Sequence, residues 1–542
     1  MKRILGMTLG IVLVLLLVMS VALADEEKQS GAFTYRIKGN GTAVITGYEG
    51  KGEDVYVPRM LDGYSVSEIG ENVFSDVGNV IVTLPDTITT IGSKAFENSK
   101  VTVITIPESV RSIGDFAFFE CDNIRSVFIP ASVEFIGVGA FAGCDSLLSF
   151  SVGAGSEVYA TIDNCLFNKQ KKELVSYPKA MKRTIYHSWG DEWNYNVPSG
   201  IESIGPYAFY TIDFGYGNSE IPLLPDTIKS IGEYAFYGTS YQSADFHLPA
   251  NLESIGDYAF AYSSYPKKEK QKFSSGTYYG TEFYFPRKLE RIGDHAFEGA
   301  CMGLVHFGNE GEEVCLTTIG EYAFMNASLF TEVRLLELPS SVEKIGRGAF
   351  KDFDDLKGET SIFYKTEKGT IDLGKTKITT IEPETFSGVR CGHIYFPATV
   401  KEVKERAAVE CAATLDFDPY LKNNGCLESI GDEAFLGVTG SIMLPTGKLK
   451  TIGDRAFYGA SNFRMFWSFD STLISIGKEA FGATGLTRLI IPASVTKIGE
   501  NFCDREKVIL TVEKGSYAEQ YALENGYQIK REESNDTSWL ND

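Results

Sequence analysis

The chain has 542 residues, of which 43% are apolar and 23% are charged, a composition that is typical of folded proteins and excludes wholesale disorder. Lys and Arg total 51 against 72 Asp and Glu, so the formal net charge is −21. Because a field of this sign repels phosphate backbones, the composition argues against a nucleic-acid partner.

The first 24 residues (1–24) predict a secretory signal peptide. A basic start at Lys2 and Arg3 precedes an apolar run over residues 11–18. Residues 22–24, Ala-Leu-Ala, then form a small-x-small cleavage site. An uncleaved membrane anchor is the alternative, but the apolar run is short for a span and acidic residues follow it. No later stretch of about 18 apolar residues occurs, so we expect a secreted or cell-surface protein.

A hexapeptide, Ile-Gly-x-x-Ala-Phe, recurs through the rest of the chain. Full copies begin at Ile91, Ile113, Ile136, Ile204, Ile231, Ile255, Ile292, Ile319, Ile345, Ile430, Ile452 and Ile476. Looser copies begin at Ile69, Ile381 and Ile498, and a weaker one begins at Val403. Several neighbouring copies lie about 22 to 24 residues apart. Because no unit of this size can bury its apolar side alone, the units are predicted to stack into a solenoid.

Each unit is predicted to contain one short strand and one helical turn. The strand is an alternating run that ends in Pro, such as VTVITIP at residues 101–107. After the Ile-Gly pair stands an acid or Pro, for example Asp115, Glu233 or Pro206, which the first turn of a helix prefers. A stack of acids that binds a cation is the alternative, but helix starts explain both residue types. The predicted fold class is therefore an α/β repeat solenoid.

The combined pattern L-x-x-[IV]-x-[IL]-P-x-x-[VL]-x-x-I-G-x-x-A-F resembles the BspA-like leucine-rich repeat of bacterial surface proteins. The resemblance covers nearly all of the mature chain and implies a β-hairpin N-terminal capping segment at 25–66. It further implies a leucine-rich-repeat solenoid of about 15 to 19 units at 67–505, some degenerate or with insertions, and a strand-helix-strand C-terminal cap at 506–530. Residues 531–542 are expected to be a disordered acidic tail. The family also implies adhesion to host proteins or other cells, without a shared ligand.

A candidate ligand-binding row follows from the strand pattern. The residue two before the closing Pro should face outward, and neighbouring strands lie about 4.8 Å apart. The row predicted in this way contains His247, Tyr284, His306, Glu337, Asp372, Tyr395 and Asp416. Aromatic residues anchor interfaces, which favours a binding surface, with an ordinary solvent face as the alternative. A metal site shared by His247 and His306 is disfavoured, because two rungs separate them by roughly 10 Å.

A second candidate is the position just before Ala-Phe, where consecutive full copies carry aromatic side chains. Stacking of the repeats puts these residues in one column: Tyr207, Tyr234, Tyr258, His295 and Tyr322. The column is a candidate grip for a glycan or peptide, but packing of the rings on one another is favoured because all five sit on the predicted helical turn. The insert 261–281, which is rich in Lys and Tyr, is a further candidate, for an anionic glycan or an acidic protein loop, but a solvated loop is favoured.

The sequence carries no recognisable catalytic, cofactor or metal motif. The nine cysteines form no C-x-x-C pair, and mostly free thiols are expected. The G-x-S-x-G, P-loop, G-x-G-x-x-G and H-E-x-x-H motifs are missing. We therefore predict a protein that is not an enzyme, needs no cofactor and binds a protein or glycan ligand, such as host extracellular matrix or another cell. The alternatives are a structural spacer of the cell surface and a polysaccharide-acting enzyme on a β-solenoid.

Overall fold

The computed structural model describes the chain between residues 26 and 532 with several gaps. The described residues are 26–50, 54–78, 81–181, 184–187, 190–193, 197–214, 224–240, 246–263, 283–302, 305–308, 312–329, 335–354, 369–417, 425–445, 447–462 and 464–532. The predicted signal peptide and residues 533–542 of the predicted tail lie outside them. Contacts divide the chain into two compact units, an N-terminal unit (Met1–Ile185 and Trp193–Ile212) and a C-terminal unit (Tyr186–Glu192 and Asp213–Asp542).

The N-terminal unit begins with a hairpin. A tight turn joins its two longer strands, in which Gly41 has φ +80° and the N–H of Lys38 donates to the C=O of Thr42 at 2.8 Å. The third strand of this segment, β3, pairs in parallel with β6, so the hairpin stands at the head of a parallel array. The strands are β1 (Lys28–Ser30), β2 (Phe33–Ile37), β3 (Ala43–Tyr48), β4 (Val55–Tyr56), β5 (Met60–Leu61) and β6 (Tyr64–Ile69).

Each coil of the N-terminal unit carries two short parallel strands, where the sequence predicted one. Strands of the first kind end one or two residues before the Pro position: β7 (Ile81–Thr83), β9 (Val103–Thr105), β11 (Ser126–Ile129) and β13 (Ser149–Val152). Strands of the second kind hold the Ile of the hexapeptide: β8 (Thr90–Ile91), β10 (Ser112–Ile113) and β12 (Phe135–Ile136). In the second kind, Ile91, Ile113 and Ile136 face one another in register and form a buried ladder.

An antiparallel meander interrupts this ladder after Ile136. It consists of β14 (Tyr159–Ile162), β15 (Cys165–Asn168) and β16 (Glu173–Ser176), and β16 pairs in parallel with β19 (Ser203–Ile204). The hydroxyl of Tyr159 accepts a hydrogen bond from the N–H of Ile136 at 2.7 Å, which satisfies the last backbone donor of the ladder. Two further strands between β16 and β19 are β17 (Thr184–His187) and β18 (Gly190–Trp193).

The C-terminal unit repeats the two kinds of strand. The Ile strands are β20 (Ser230–Ile231), β22 (Ser254–Ile255), β24 (Arg291–Ile292), β27 (Thr318–Ile319), β30 (Lys344–Ile345), β32 (Thr380–Ile381), β34 (Glu402–Val403), β36 (Ser429–Ile430), β38 (Thr451–Ile452), β40 (Ser475–Ile476) and β42 (Lys497–Ile498). The other strands are β21 (Phe246–His247), β23 (Phe283–Phe285), β25 (Cys301–Met302), β26 (Val305–Phe307), β28 (Ser328–Leu329), β29 (Leu335–Glu337), β31 (Thr370–Asp372), β33 (His393–Tyr395), β35 (Thr414–Asp416), β37 (Ile442–Met443), β39 (Arg464–Ser468), β41 (Gly485–Ile491), β43 (Ile509–Glu513) and β44 (Gln528–Glu532). The fold is therefore a β-solenoid of leucine-rich-repeat type.

The segment that follows Ile-Gly is a run of tandem β-turns, so the predicted helical turn is wrong. In the copy at Ile91, the N–H groups of Ala95 and Glu97 each bond the C=O three residues earlier. The N–H groups of the residues that alternate with these, Lys94 and Phe96, bond C=O groups of the next coil at 2.9 and 2.7 Å. A helix would keep those donors within its own turn, whereas here they join neighbouring coils. The described residues contain a single helix, α1 (Tyr517–Glu524).

Two positions in each turn have a left-handed backbone. The residue before Ala has φ near +55°, as at Lys94 (+56°), and so does the second residue after Phe, as at Asn98 (+55°). Type II turns require positive φ at their third residue, where glycine costs least. This geometry explains why the second position often holds glycine, as at Gly143, Gly238, Gly299, Gly388, Gly437 and Gly459.

The core of each unit is a spine of phenylalanine rings. In the N-terminal unit, Phe96 stacks on Phe118 with ring centroids 5.0 Å apart and 8° between the ring planes. In the C-terminal unit, Phe260 lies between Phe236 and Phe297 at 5.0 and 5.2 Å. The members of the two spines are Phe74, Phe96, Phe118 and Phe141, then Phe236, Phe260, Phe297, Phe324, Phe350 and Phe386, and after a break Phe435, Phe457 and Phe481.

The break after Phe386 marks the weak copy at Val403, where Ala408 stands in the Phe position. Rings from the other strands fill the gap. Phe396 packs edge-on against Phe386 at 5.4 Å and stacks on Phe417 at 4.2 Å, and Phe417 in turn contacts Phe435. The core therefore stays aromatic where the repeat itself is degenerate.

The glycine after Ile is required because the coils approach one another closely there. A Cβ on Gly114 would lie 2.5 Å from the backbone N of Ser93 in the preceding coil, and a Cβ on Gly477 would lie 2.3 Å from the carbonyl carbon of Gly453. Contacts this short essentially never occur for real Cβ atoms, so only glycine fits at positions 114 and 477 at the observed spacing of the coils.

The C-terminal end of the core is covered by α1 and β44. Ser516 caps the helix by accepting a hydrogen bond from the N–H of Glu519 at 3.2 Å. The ring of Phe502 contacts Tyr521 of α1 and Tyr527, which precedes β44. This strand-helix-strand arrangement supplies apolar contacts that a further repeat would otherwise provide.

Candidate ligand-binding surfaces

Four of the predicted row residues lie side by side on one sheet of the C-terminal unit. Glu337 faces Asp372, Asp372 faces Tyr395, and Tyr395 faces Asp416 across the parallel strands β29, β31, β33 and β35. The alternate residues, among them Leu336 and Ile394, are buried. The row therefore points away from the core, and its members are separated by one strand spacing of about 4.8 Å.

Local contacts order this part of the row. Glu337 pairs with Lys375, and Oδ1 of Asp372 accepts a hydrogen bond from the N–H of Gly374 at 2.7 Å. The rings of His393 and Tyr395 lie 5.7 Å apart. The surface offers carboxylates beside aromatic rings, a combination suited to recognition of a polar protein surface.

The sequence-based row omitted Met443. It stands opposite Asp416 on β37 and its side chain is 49% exposed. The sequence could have identified Met443, because it is two residues before Pro445 and so occupies the position used to choose the row. It adds an apolar end to the acidic and aromatic row.

The other three predicted residues lie on a separate sheet. His247 faces Tyr284, and Tyr284 faces His306, across β21, β23 and β26. The Tyr284 and His306 rings stack 4.7 Å apart with 11° between their planes. The side chain of His247 is outside the described part of the structure. Among the described residues, no three His, Cys, Asp or Glu side chains are grouped to hold a metal ion.

The aromatic column exists as a stack within the C-terminal unit. Tyr234 stacks on Tyr258 at 4.6 Å, Tyr258 on His295 at 4.4 Å, and His295 on Tyr322 at 5.0 Å. All four occupy the left-handed position before Ala, which directs each side chain onto its neighbour. The fifth predicted member, Tyr207, belongs to the N-terminal unit, where its ring packs edge-on against Phe116 at 5.2 Å.

A buried carboxylate anchors the middle of the stack. Glu298 is 7% exposed, and its carboxylate contacts Nδ1 of His295 at 2.7 Å and accepts a hydrogen bond from the hydroxyl of Tyr262. This bond and burial raise the pKa of Tyr262 to about 12, and burial raises the pKa of Tyr234 to about 12. The faces of the rings are taken up by stacking, so the column offers a ligand ring edges and neutral hydroxyls rather than open faces.

The same slot changes chemistry further along the chain, which we did not predict from the sequence. After Gly348, the position before Ala carries charges of alternating sign: Glu384, Arg406, Glu433, Arg455 and Glu479. Arg406 pairs with Glu433 at 2.5 Å, and Arg455 pairs with Glu433 at 2.9 Å and with Glu479 at 3.7 Å. The alternation is visible in the sequence when the residue before Ala is compared between successive repeats. We call these residues the charge ladder.

The first rung of the charge ladder yields a pH-dependence prediction. Hydrogen bonds from Lys351 and Arg347 lower the pKa of Glu384 from its ordinary value of 4.5. A carboxyl whose pKa is lower in the folded state contributes stability that is present above the unfolded pKa and lost as the pH falls through the folded pKa. Glu384→Gln should therefore lower the free energy of unfolding by about 1 kcal/mol at pH 7, and the difference should shrink below about pH 4.5.

Urea unfolding of both proteins between pH 3 and pH 7 measures this difference. Glu343→Gln is the matched control, because Glu343 is 62% exposed and pairs with Lys377 only at 3.7 Å. It should change stability little at any pH. A Glu384→Gln penalty that stays constant down to pH 3 would contradict the assignment.

The acids after Ile-Gly join neighbouring coils and do not start helices. Asp257 accepts a hydrogen bond from the N–H of Asp294 in the next coil at 2.8 Å, and Asp294 accepts one from the N–H of Glu321 at 2.8 Å. Asp432 and Asp454 make the same bond, each at 2.7 Å, to the next coil. The carboxylates thus satisfy backbone donors next to the close approach of the glycines.

Among the cysteines whose side chains are described, Cys121, Cys144, Cys411 and Cys503 are buried free thiols, and Cys315 is an exposed one. The thiol of Cys121 donates to the C=O of Phe96 at 3.0 Å, and that of Cys144 donates to the C=O of Phe118 at 3.1 Å. Burial raises the pKa of Cys121 to about 11 and that of Cys411 to about 12. These thiols act as small core residues.

This arrangement predicts a strict order of thiol reactivity. The thiolate is the reactive form, so exposed Cys315 should react with iodoacetamide at pH 7.5 at least about 100-fold faster than buried Cys121 or Cys411. Mass spectrometry of peptides from briefly labelled folded protein measures the rates, with urea-unfolded protein as the control in which all should react alike. A disulfide between Cys121 and Cys144, or labelling of Cys121 at the rate of Cys315, would contradict the prediction.

The repeat sequence itself identifies the family. A family model described as BspA type leucine rich repeat region matches residues 62–173, 179–268, 267–412, 357–440 and 418–530. The chain belongs to this family. The resemblance inferred from the hexapeptide is thereby confirmed. None of the curated proteins compared with the chain matches it.

Solved structures that are similar to this BspA type protein include other leucine-rich repeat proteins. One from Bacteroides ovatus is 20% identical, with 93% of this chain and 100% of that one covered and a TM-score of 0.35. A leucine rich cell surface protein from Faecalibacterium prausnitzii is 18% identical, with 70% and 94% covered and a TM-score of 0.24. The pneumococcal vaccine antigen PcpA is 15% identical, with 94% and 99% covered and a TM-score of 0.30.

Two further findings concern the predicted insert and membrane segments. Most of the insert 261–281, from residue 264 onward, lies outside the described residues. In the part of the chain that the structure describes, no helix combines the length and the apolarity needed to cross a bilayer.

Proposed function

We propose that this BspA type repeat protein is exported and acts, secreted or at the cell surface, as a non-catalytic binding or adhesion module for proteins or glycans. The observation that carries the proposal is the register of the C-terminal unit, which aligns Glu337, Asp372, Tyr395 and Asp416 in one outward row. Such a row is a continuous recognition surface that no single repeat could supply.

The chemistry of the row supports a protein ligand, such as a component of host extracellular matrix or of another cell. Tyr395 and Tyr284 supply amphipathic rings, the residue type that anchors protein interfaces. Carboxylates beside them select for basic side chains and steer association by long-range attraction. The signal-peptide features of residues 1–24 support export.

Binding of the mature chain to immobilised fibronectin, laminin and mucin tests the proposal. The triple variant His247→Ala, Tyr284→Ala, Tyr395→Ala should lose binding at least about tenfold, the effect of removing hot-spot rings. The matched control is Tyr517→Ala, Leu523→Ala, Glu524→Ala on α1, whose first two side chains are 41% and 56% exposed and distant in sequence from the row. It should bind like the unmodified protein.

A structural spacer is the second candidate, supported by the unbroken stacking of Phe236 through Phe386. For a spacer, the row variant and the control would behave alike on every matrix protein. Turnover of a polysaccharide by the purified protein would instead favour the enzyme alternative and contradict a non-catalytic role.

A further inference from the structure

We propose that the N-terminal unit carries a separate binding site for an uncharged oligosaccharide, on the outward face of strands β4, β7, β9, β11 and β13. This site goes beyond the proposed function, because it lies in the other unit, restricts the ligand to neutral oligosaccharides and uses no residue of the row in the C-terminal unit. We call it the uncharged face.

The uncharged face consists of the side chains that alternate with the buried ones on these strands. They are all exposed or half-buried: Tyr56, Ile81, Thr83, Val103, Thr105, Ser126, Phe128, Ser149 and Ser151. Charged residues make up 23% of the chain, yet none occurs among these positions. A surface without charge in a protein of net charge −21 is poorly matched to an ionic ligand and well matched to a neutral one.

Two aromatic rings of this face are open to solvent. Tyr56 is 72% exposed and Phe128 is 46% exposed. In the described part of the chain neither ring stacks on another aromatic ring, in contrast to Tyr258, whose two faces are covered by Tyr234 and His295. Sugar rings pack their apolar C–H faces on aromatic faces. The ring faces of Tyr56 and Phe128 are open to such packing, whereas those of the aromatic column are covered by their neighbours.

Hydroxyl groups lie beside these rings in register. Thr83 stands opposite Tyr56 and opposite Thr105, and Ser151 stands opposite Phe128. Within the described residues, the side-chain hydroxyls of Thr83, Thr105 and Ser151 make no hydrogen bond to the protein, so they remain able to donate to and accept from the hydroxyls of a sugar.

The dimensions of the face suit a short oligosaccharide. β4 pairs with β7 and β7 with β9, and β9 contacts β11, which belongs to a separate two-stranded sheet. If β9 and β11 are spaced like paired strands, Tyr56 and Phe128 are about 14 Å apart. Ile81 and Val103, 43% and 53% exposed, face each other beside this line and add an apolar border. A chain of a few sugar rings laid across the strands reaches from one aromatic ring to the other.

Two ion pairs flank the face, and Asp54, just before β4, accepts a hydrogen bond from the N–H of Ile81 at 2.9 Å. Arg59 bonds Asp86 at 2.6 Å just beyond the ends of β4 and β7, and Lys100 bonds Asp122 at 2.7 Å before the starts of β9 and β11. No arginine or tryptophan anchor, as is common at the centre of protein interfaces, lies on the face. These features favour a neutral glycan over a protein or an acidic glycan.

The mature full-length protein, probed on an array that carries neutral, sialylated and sulfated glycans, tests the proposal. We expect retention of neutral oligosaccharides, lost at least tenfold in the double variant Tyr56→Ser, Phe128→Ser. Phe135→Ser is the matched control, because Phe135 is 53% exposed but lies on β12 in the Ile ladder. It should bind like the unmodified protein. Unchanged thermal unfolding of the double variant excludes misfolding as the cause, since both side chains are exposed.

Several results would overturn the proposal. These are retention of only charged glycans, no retention of any glycan, or equal loss in the double variant and in Phe135→Ser. Self-association of the purified protein that the double variant abolishes would assign the face to a second copy instead. The triple variant of the row should leave glycan binding intact, and the double variant should leave matrix-protein binding intact, so the two proposals fail independently.

Discussion

Replacing Phe260 with alanine is expected to lower the free energy of unfolding by about 3 to 5 kcal/mol. Phe260 is fully buried, stacks on Phe236 and Phe297 at 5.0 and 5.2 Å, and meets Phe283 edge-on at 6.2 Å. Its removal leaves a cavity between two rings that the hydrogen bonds between coils hold apart, so the site cannot collapse. Urea unfolding monitored by circular dichroism measures the loss.

The location of the damage is a further check on Phe260→Ala. In a stacked repeat array each unit contacts its neighbours, so amide hydrogen exchange should accelerate first at the Ile strands on either side, β20, β22 and β24. The control Phe135→Ala removes a ring that is 53% exposed and should cost less than about 1 kcal/mol. Equal losses for the two variants would mean that the phenylalanine spine does not hold the solenoid together.

Replacing Gly477 with alanine is expected to destabilise the protein by about 3 kcal/mol although it adds one methyl group. The new Cβ would lie 2.3 Å from the carbonyl carbon of Gly453 and 2.4 Å from the backbone N of Asp454. Both atoms belong to a backbone that is tied down by the bond from the N–H of Gly477 to the C=O of Ile452 at 2.8 Å. The coils must separate locally, which breaks ladder hydrogen bonds.

Thermal and urea unfolding of Gly477→Ala, beside Gly39→Ala as the control, measure this effect. No atom lies within 4 Å of the position that a Cβ on Gly39 would take, and the backbone of Gly39 is not left-handed. The substitution there should be neutral or slightly stabilising. If Gly477→Ala were as mild as Gly39→Ala, the close approach of the coils would not be a constraint on the sequence.

The sequence was sufficient for the solenoid, its inward phenylalanines and the alignment of four residues of the predicted row. These features depend on the two-residue periodicity of the strands. A register shift of one residue would turn Leu336 and Ile394 outward in place of Glu337 and Tyr395. Register across neighbouring repeats then follows from the sequence, since equivalent residues stack. That is why Glu337, Asp372, Tyr395 and Asp416 meet as expected.

The turn was predicted wrongly because its signals are shared by two structures. An acid after Gly fits a helix start, but in Asp257 and Asp454 it bonds a donor of the next coil. The distinguishing signal was the glycine two residues after Phe, for example Gly238 and Gly299, which marks a left-handed position that an α-helix would not contain. No sequence signal indicated the break between the sheets of His306 and Glu337.

The charge ladder sets a rule for how this array can change in copy number. Deleting the single unit that contains Arg406 would bring Glu384 beside Glu433, so two like charges would be adjacent at one-strand distance, which is unfavourable. Deleting two units together would restore opposite neighbours. In the aromatic column, by contrast, loss of the unit that contains Tyr258 would simply stack Tyr234 on His295. Recombination that removes a single repeat should thus be tolerated in the aromatic column. In the charge ladder, only the removal of two repeats together should be tolerated.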